Sequence, residues 1–129
     1  MANWKTPSDL KYTRNDEWIR IENGTATVGI TDYAQDQLND IVYVELPDVS
    51  AEYQAGAVFG VVESVKAASD IYLPVGGKIT AVNDKVTSEP ELINTDPYGD
   101  GWLVKIQVTN GDTSGLMDAV AYAQYCESR

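Results

Sequence analysis

The sequence predicts a small, mainly β domain, a barrel or a sandwich, with short helices and a C-terminal helix. Many short segments alternate polar and apolar residues, as half-buried strands do, and turn residues separate them at regular intervals. The 129 residues suffice for one domain with a modest core. We therefore predict a single domain over residues 1–129, with its core at about 11–109 and a helical tail at about 112–129.

The first hairpin has the clearest signal. Residues 17–22 alternate polar and apolar side chains, and residues 25–30 form a second run with strand character. Asn23-Gly24 between them predicts a two-residue turn, because Asn-Gly readily adopts the positive φ angles of such turns. Thr31-Asp32 then suits the start of a short helix over residues 33–38.

The middle of the chain predicts four further strands, at residues 41–46, 58–63, 69–73 and 78–82. Gly76-Gly77 predicts a turn before the last of them. The second and third meet with almost no turn residues between them, which puts Lys66 at the tip of a tight reversal over residues 64–67. Strict alternation places Phe59, Val61 and Glu63 on one face of their strand.

The last third mixes helix and strand signals. Pro90 suits the first turn of a short helix through residues 92–93, and residues 96–101 are dense in turn residues. Residues 102–108 then predict the last strand. Asp118 is placed to begin the C-terminal helix.

Composition narrows the classes of function. The net charge of −11, from 20 acidic and 9 basic residues, disfavours nucleic acids and anionic membranes as partners, although it also fits mere solubility. With no histidine and one cysteine, Cys126, the chain cannot form a Ser-His-Asp or Cys-His nucleophile system, and we predict no metal site and no catalytic residue. We interpret Cys126 as incidental.

The N-terminal residues and the hydropathy of the chain bear on its cellular location. No apolar run approaches the length of a membrane span, and the N-terminus lacks the apolar region of a secretory signal. We expect a protein of the bacterial cytoplasm, or alternatively a mature protein of the mitochondrial matrix.

Lys66 is the candidate functional residue. An exposed lysine on a hairpin suits a substrate of a modifying enzyme, whereas a Schiff-base lysine needs burial or a cationic neighbour. Spacing alone favours a solubilising lysine over a modification site, because hairpin lysines are common.

The sequence closely resembles the H proteins of the glycine cleavage system, from about Leu10 to the C-terminal helix. The motifs that carry the resemblance, in chain order, are Glu17-Trp18, Thr27–Asp32, Val44–Pro47, Glu63–Ala67, Ser69-Asp70, Glu91–Asn94, Asp96–Gly99 and Gly101-Trp102. The resemblance implies the barrel-sandwich hybrid fold of biotinyl and lipoyl carriers, with lipoate in amide linkage on Lys66. Val65 and Ala67 flank the lysine, as in H proteins. Biotin carriers, in contrast, usually have Met on both sides of the lysine.

The same resemblance implies a non-catalytic, monomeric carrier with four partners: a pyridoxal-phosphate glycine decarboxylase, a tetrahydrofolate-dependent aminomethyltransferase, dihydrolipoamide dehydrogenase and a lipoylating enzyme. The alternatives are a lipoate relay donor, or an H-like interaction module that is not lipoylated. An enzyme in its own right is disfavoured by the missing histidines.

Carried over by motif, the resemblance also implies two sets of site residues. Glu17, Asp70 and Asn15 would form the cleft for the lipoyl-lysine arm when it carries an aminomethyl group. The other interpretation of each acid is a solvated surface carboxylate. Glu63 and Gly77 would bear on lipoylation. Glu63 could instead pair with a cross-strand neighbour, and Gly77 could simply be a turn glycine.

Two positions depart from the family pattern. Asp16 and Tyr33 stand where H proteins often have histidine. We expect any difference in how the arm or a partner is contacted to arise there.

Overall fold

A computed structural model describes residues 4–129, and within that range it has nine strands and four helices. The strands are β1 Lys11–Tyr12, β2 Glu17–Glu22, β3 Thr25–Ile30, β4 Ile41–Glu45, β5 Glu52–Tyr53, β6 Val58–Ser64, β7 Ala68–Tyr72, β8 Gly76–Val82 and β9 Val104–Asn110. The helices are α1 Asp32–Leu38, α2 Asp84–Ser88, α3 Leu92–Thr95 and α4 Ala119–Glu127. The prediction of a mainly β fold with short helices and a C-terminal helix is confirmed.

The strands form two antiparallel sheets. The larger has six strands in the order β1-β2-β3-β9-β8-β5, and the smaller has three in the order β4-β6-β7. Apolar side chains from both sheets meet in one core, in which Val28, Val62, Ile79 and Ile106 are completely buried. Burial of this apolar surface is the main force that holds the two sheets together.

The β2–β3 hairpin forms as predicted. Glu22 pairs with Thr25, and the turn residues Asn23 and Gly24 have φ angles of 52° and 82°. Positive φ at both positions matches the right-handed twist of the strands, so the Asn-Gly pair fixes the register of the hairpin.

A bulge in β6 changes which side chains face the core. The register against β7 shifts between Val58 and Gly60, and Phe59 and Val62 are both buried. The prediction of strict alternation, which grouped Phe59 with Val61 and Glu63, is wrong because the extra residue rotates Phe59 to the inner face.

The predicted turn at Gly76-Gly77 is also wrong. Both glycines lie within β8, where Gly77 pairs with Tyr53 on one side and Val108 on the other. A Cβ atom at Gly77 would lie 2.8 Å from the Gln107 carbonyl oxygen and 2.8 Å from Ile106 Cδ1. Close approach of β9, not turn geometry, explains this glycine.

A second apolar cluster lies on the other face of β1 and β2, beneath α4. Tyr12 stacks on Tyr122 with 4.6 Å between ring centroids, and Trp18 donates its indole N–H to the Pro97 carbonyl at 3.0 Å. Asp118 caps α4 as predicted, since its carboxylate accepts the Ala121 N–H at 2.8 Å. Cys126 is buried in this cluster, and burial raises the pKa of its thiol.

Among residues 4–129, no helix is both long and apolar enough to cross a membrane.

Candidate functional site

Ser64 shapes the hairpin tip that carries Lys66. Its hydroxyl oxygen accepts the backbone N–H groups of Lys66 and Ala67, each at 3.0 Å, and its own N–H donates to the Ala67 carbonyl at 2.8 Å. A serine hydroxyl thus satisfies the amides that the reversal leaves free. The predicted tight turn over residues 64–67 is confirmed.

The tip rests against the end of α1. Val65 donates its N–H to the Asp40 carbonyl at 3.1 Å, and Lys66 Nζ donates to the Gln37 carbonyl at 3.2 Å. Carbonyls in the last turn of a helix lack intrahelical partners and carry partial negative charge, so they attract an ammonium group. Lys66 is exposed, as predicted, and its amine ends over α1.

A groove of about 140 Å³ begins at this point, because Gln37 also lines it. Its floor is apolar and consists of Ile30, Ala34, Leu38 and Ile71. Its rim is polar and consists of Asn15, Asp16, Gln37 and Ser69. An apolar floor with a polar rim suits an alkyl chain that ends in a polar group.

A larger depression of about 360 Å³ lies elsewhere, on the outer face of the six-stranded sheet. Arg20, Thr27 and Lys105 line it and form a cross-strand row, and Thr80 lines it from the neighbouring strand. It includes no residue of the Lys66 hairpin and has the polar surface of a solvated sheet. The smaller groove is therefore the candidate site.

Of the three predicted cleft residues, Asn15 lines the groove, whereas Glu17 and Asp70 do not. Glu17 is only 1% exposed, so its interpretation as a solvated surface carboxylate is wrong. Thr13 donates its hydroxyl to Glu17 Oε1 at 2.7 Å, and Tyr72 donates its backbone N–H to Oε2 at 3.1 Å. Glu17 thereby connects β2 of the larger sheet to the edge of β7 in the smaller one.

Burial raises the pKa of the Glu17 carboxyl to about 7. The hydrogen bonds from Thr13 and Tyr72 favour the carboxylate and act in the opposite direction, and the nearby charge of Asp16 adds to the increase. Glu17 therefore changes protonation near neutral pH. It lies directly behind the loop that contributes Asn15 and Asp16 to the groove rim.

Asp70 projects from the other face of β7. Ser69 and Ile71 face the groove, so alternation turns Asp70 outward, where it lies diagonally from Glu63 across the paired strands. Tyr43 pairs with Glu63 and is 50% exposed. We call Tyr43, Glu63 and Asp70 the outer face of the hairpin. In residues 4–129 the two ion pairs, Arg20–Asp9 and Arg129–Asp16, involve neither of its acids.

The two residues that the resemblance linked to lipoylation occupy different environments. Glu63 is partly exposed on the hairpin itself, three positions before Lys66. Gly77 is buried in the larger sheet.

The two departures from the family pattern meet at Arg129. Its guanidinium binds both carboxylate oxygens of Asp16, at 2.5 and 3.0 Å, and lies over the Tyr33 ring with its carbon 4.3 Å from the centroid. Motif matching identified Asp16 and Tyr33 separately. Nothing in the sequence indicated that the last residue of the chain connects them.

Three residues of the site escaped the sequence interpretation: Ser64, Gln37 and Ser69. Ser64 had a local signal, since serine before a reversal commonly accepts turn amides. Gln37 and Ser69 had none, because they come together only when the fold brings residues of α1 and β7 to the same groove.

Comparison with known proteins places the chain in one family. A family model described as "Glycine cleavage H-protein" matches residues 10–129. The glycine cleavage system H protein of Chromobacterium violaceum is 56% identical over 120 residues, which is 92% of this chain and 94% of that protein. The H protein of Symbiobacterium thermophilum is 54% identical over 123 residues, or 95% and 94% of the two chains.

A solved structure agrees. The crystal structure of a glycine cleavage system H protein from Mycobacterium marinum superposes with a TM-score of 0.86 at 41% identity, covering 92% of this chain and 97% of that one. The two-sheet architecture is thus the barrel-sandwich fold of lipoyl carriers, as the resemblance implied. The chain belongs to the glycine cleavage H-protein family.

Proposed function

We propose that this chain is the lipoyl carrier of the glycine cleavage system and that lipoate is attached to Lys66 through an amide. We call the resulting lipoyl-lysine side chain the arm. The observation that carries the proposal is the position of the Lys66 amine, which is exposed at a hairpin tip and ends at the mouth of the groove.

Bound to Lys66, lipoate would supply the transfer and redox chemistry. The chain would thereby carry an aminomethyl group from glycine decarboxylase to the aminomethyltransferase, and dihydrolipoamide dehydrogenase would return the carrier to its oxidised form. The chain itself provides attachment, shelter and docking, and acts as a non-catalytic component. The Ser64 hydroxyl is occupied by turn amides, so it is not poised as a nucleophile.

Attachment fits the geometry of the tip. An amide at Lys66 Nζ keeps one N–H, which can still donate to the Gln37 carbonyl that now accepts from the ammonium. The start of the arm would therefore stay over α1. The apolar floor of Ile30, Leu38 and Ile71 would shelter an alkyl chain from water, and the side-chain oxygen of Asn15 would accept a hydrogen bond from a cationic amine.

Glu17 and Asp70 have different roles in this proposal. Glu17 would support the loop that carries Asn15 and favour a cationic cargo electrostatically when ionised, without direct contact. Asp70 would serve mainly at the outer face, with access to the arm only when the arm leaves the groove.

The outer face of the hairpin would dock partners. Two carboxylates without an ion-pair partner in residues 4–129, Glu63 and Asp70, lie beside the exposed Tyr43 ring and close to Lys66. A lipoylating enzyme with basic residues around an apolar contact would complement this face. Gly77 would affect lipoylation only through the fold, because it is buried. The charge of −11 likewise favours basic protein surfaces over nucleic acid, and we propose that the carrier works as a monomer.

Intact-mass measurement of the protein from its native host, grown with lipoate, tests the attachment. We expect one lipoyl adduct, which peptide mapping assigns to Lys66 and which Lys66→Arg abolishes. Lys78→Arg, on a strand of the larger sheet, is the matched control. An unmodified Lys66 would indicate the interaction-module alternative.

Glycine-dependent CO2 exchange with the decarboxylase then separates a shuttle from a lipoate relay. A shuttle supports exchange when lipoylated and not when Lys66 is replaced. A lipoylated protein that supports no exchange but donates lipoate to other carriers would indicate the relay.

A further inference from the structure

The outer rim of the groove is the loop of residues 13–16, and α4 holds this loop. Tyr122 donates its hydroxyl to Asp16 Oδ1 at 2.8 Å, and Tyr125 donates its hydroxyl to the Arg14 carbonyl at 3.2 Å. The Arg14 guanidinium lies over the Tyr125 ring, 5.3 Å from its centroid. Contacts from one helix thus reach both ends of the segment that contains Asn15.

Arg129, two residues beyond the end of α4, makes the strongest contact with this loop. Its two terminal nitrogens bind the two oxygens of Asp16, at 2.5 and 3.0 Å, and its guanidinium carbon lies 4.3 Å from the Tyr33 centroid and 4.4 Å from the Tyr125 centroid. The side chains of Arg129 and Asp16 are 26% and 15% exposed. A two-point, partly buried pair between aromatic rings holds its geometry far better than a surface ion pair.

The backbone of Asp16 has a φ angle of 69°, in the left-handed region, which aspartate adopts more readily than most residues do. This conformation is unfavourable for most residues other than glycine. It directs the Asp16 carbonyl to the Thr31 N–H, which donates at 3.0 Å and connects the rim to the end of β3.

We propose that Arg129 is a positioning residue: through Asp16 it fixes the rim of the groove and so determines how well the arm is retained. The inference rests on the proposed lipoyl carrier function. It also assigns the Asp16 carboxylate to Arg129 and Tyr122, which leaves Asn15 as the groove-lining side chain of this loop that is available to a polar cargo. Asp16 and Tyr33, the two residues that depart from the family pattern, are thereby held by the same arginine.

The first test uses hydrogen exchange on the protein without lipoate. In Arg129→Ala, we expect the Thr31 and Asp16 amides to exchange about tenfold faster, because a lost charge-assisted bond shifts a local opening equilibrium by that order. Arg129→Lys should restore protection partly, since it keeps the charge but loses the planar two-point contact. Lys85→Ala, which removes an exposed charge on α2, should leave these amides unchanged. Unchanged exchange in Arg129→Ala would overturn the proposal.

The second test uses the lipoylated protein with its arm reduced. Iodoacetamide alkylates the arm thiols, with loss of a proton and iodide for each C–S bond formed, and peptide mass spectrometry separates them from buried Cys126. We expect alkylation about tenfold faster in Arg129→Ala than in wild type, with an intermediate rate in Arg129→Lys. Equal rates in all variants would overturn arm retention by Arg129.

The double variant Asp16→Asn with Arg129→Ala distinguishes positioning from general destabilisation. If Arg129 acts through Asp16, the double variant alkylates as fast as either single variant, whereas independent effects would multiply and contradict the proposal. Absence of a lipoyl group on wild-type Lys66 would be seen directly by mass and would refute the carrier function instead, while the exchange test on the rim would still stand.

Discussion

Glu17 Oε2 accepts the backbone N–H of Tyr72 at 3.1 Å, so a buried carboxylate of the six-stranded sheet closes the edge of the three-stranded one. This bond joins the strand that follows the groove rim to the strand that follows Lys66. It makes the packing of the two sheets sensitive to the charge on one side chain.

Glu17→Gln should therefore change the pH dependence of folding. Because burial raises the pKa of Glu17 to about 7, above its ordinary 4.5, the folded state holds the proton more tightly than the unfolded state. The contribution to stability is fully present below pH 4.5 and is lost as the pH rises through 7, by roughly 3 kcal/mol in total. Urea unfolding from pH 4 to 8 should show this decline in wild type and a flatter profile in Glu17→Gln. Parallel profiles would contradict it, and Asp70→Asn serves as an exposed control.

Ser64→Ala should loosen the hairpin tip. It removes the acceptor for the Lys66 and Ala67 amides and should cost about 1 kcal/mol of stability. We expect faster hydrogen exchange at those two amides and a lower rate of lipoylation, because the lysine is presented less uniformly. Ser64→Thr keeps the hydroxyl and should behave like wild type. If Ser64→Ala is lipoylated at the wild-type rate, the tip geometry is not a recognition feature.

Glu63→Gln should weaken recognition by the lipoylating enzyme. The neutral side chain keeps its shape but loses attraction to basic partner residues, so KM should rise severalfold, by about threefold to tenfold, with kcat little changed. Asp70→Asn should have the same effect but smaller, since Asp70 lies two residue pairs further from the tip than Glu63 does. Glu52→Gln, on β5 of the other sheet, is the control. An effect of equal size in the control would show that only net charge matters.

Gly77→Ala should destabilise the fold. The added methyl group meets the Gln107 carbonyl and Ile106 Cδ1, each at 2.8 Å, and the β8–β9 pair must separate. We expect a loss of about 1 to 3 kcal/mol in chemical unfolding. Gly115→Ala, where nothing lies within 4 Å of the new Cβ atom, should be nearly neutral.

The rate of lipoylation distinguishes an effect of Gly77 on the fold from a direct role in recognition. If it acts only through the fold, Gly77→Ala is lipoylated at the wild-type rate wherever it is folded. A rate that stays low at temperatures where the variant is fully folded would reveal a direct role in recognition.

The predictable parts of this fold are those with local causes. Asn23-Gly24 specifies its turn by conformational preference, and Asp118 begins α4 by capping it. The two-residue strands β1 and β5 were missed because they exist only through pairing with longer strands. The short helix α2 was missed too, although Asn83 accepts the Lys85 N–H at 3.2 Å and begins it.

The residues of the site also divide into those with local causes and those that depend on tertiary packing. Lys66 followed from two strand signals with no loop between them, and its exposure followed from the tip. The positions of Asp70 outside the groove and Ser69 inside it depend on the sense of alternation in β7, which follows from the burial of Ile71 in the core. Arg129 is 113 residues from Asp16, and only the packing of α4 brings them together.

The Glu17–Tyr72 bond also bears on self-association. β7 is an edge strand, and an edge amide is where a strand of a second molecule would add. Glu17 already occupies the Tyr72 amide and places a buried acid there, so an incoming strand would have to displace a carboxylate that belongs to the fold. The bond from Tyr72 to Glu17 thereby disfavours the addition of a second copy of the chain at this point of the edge.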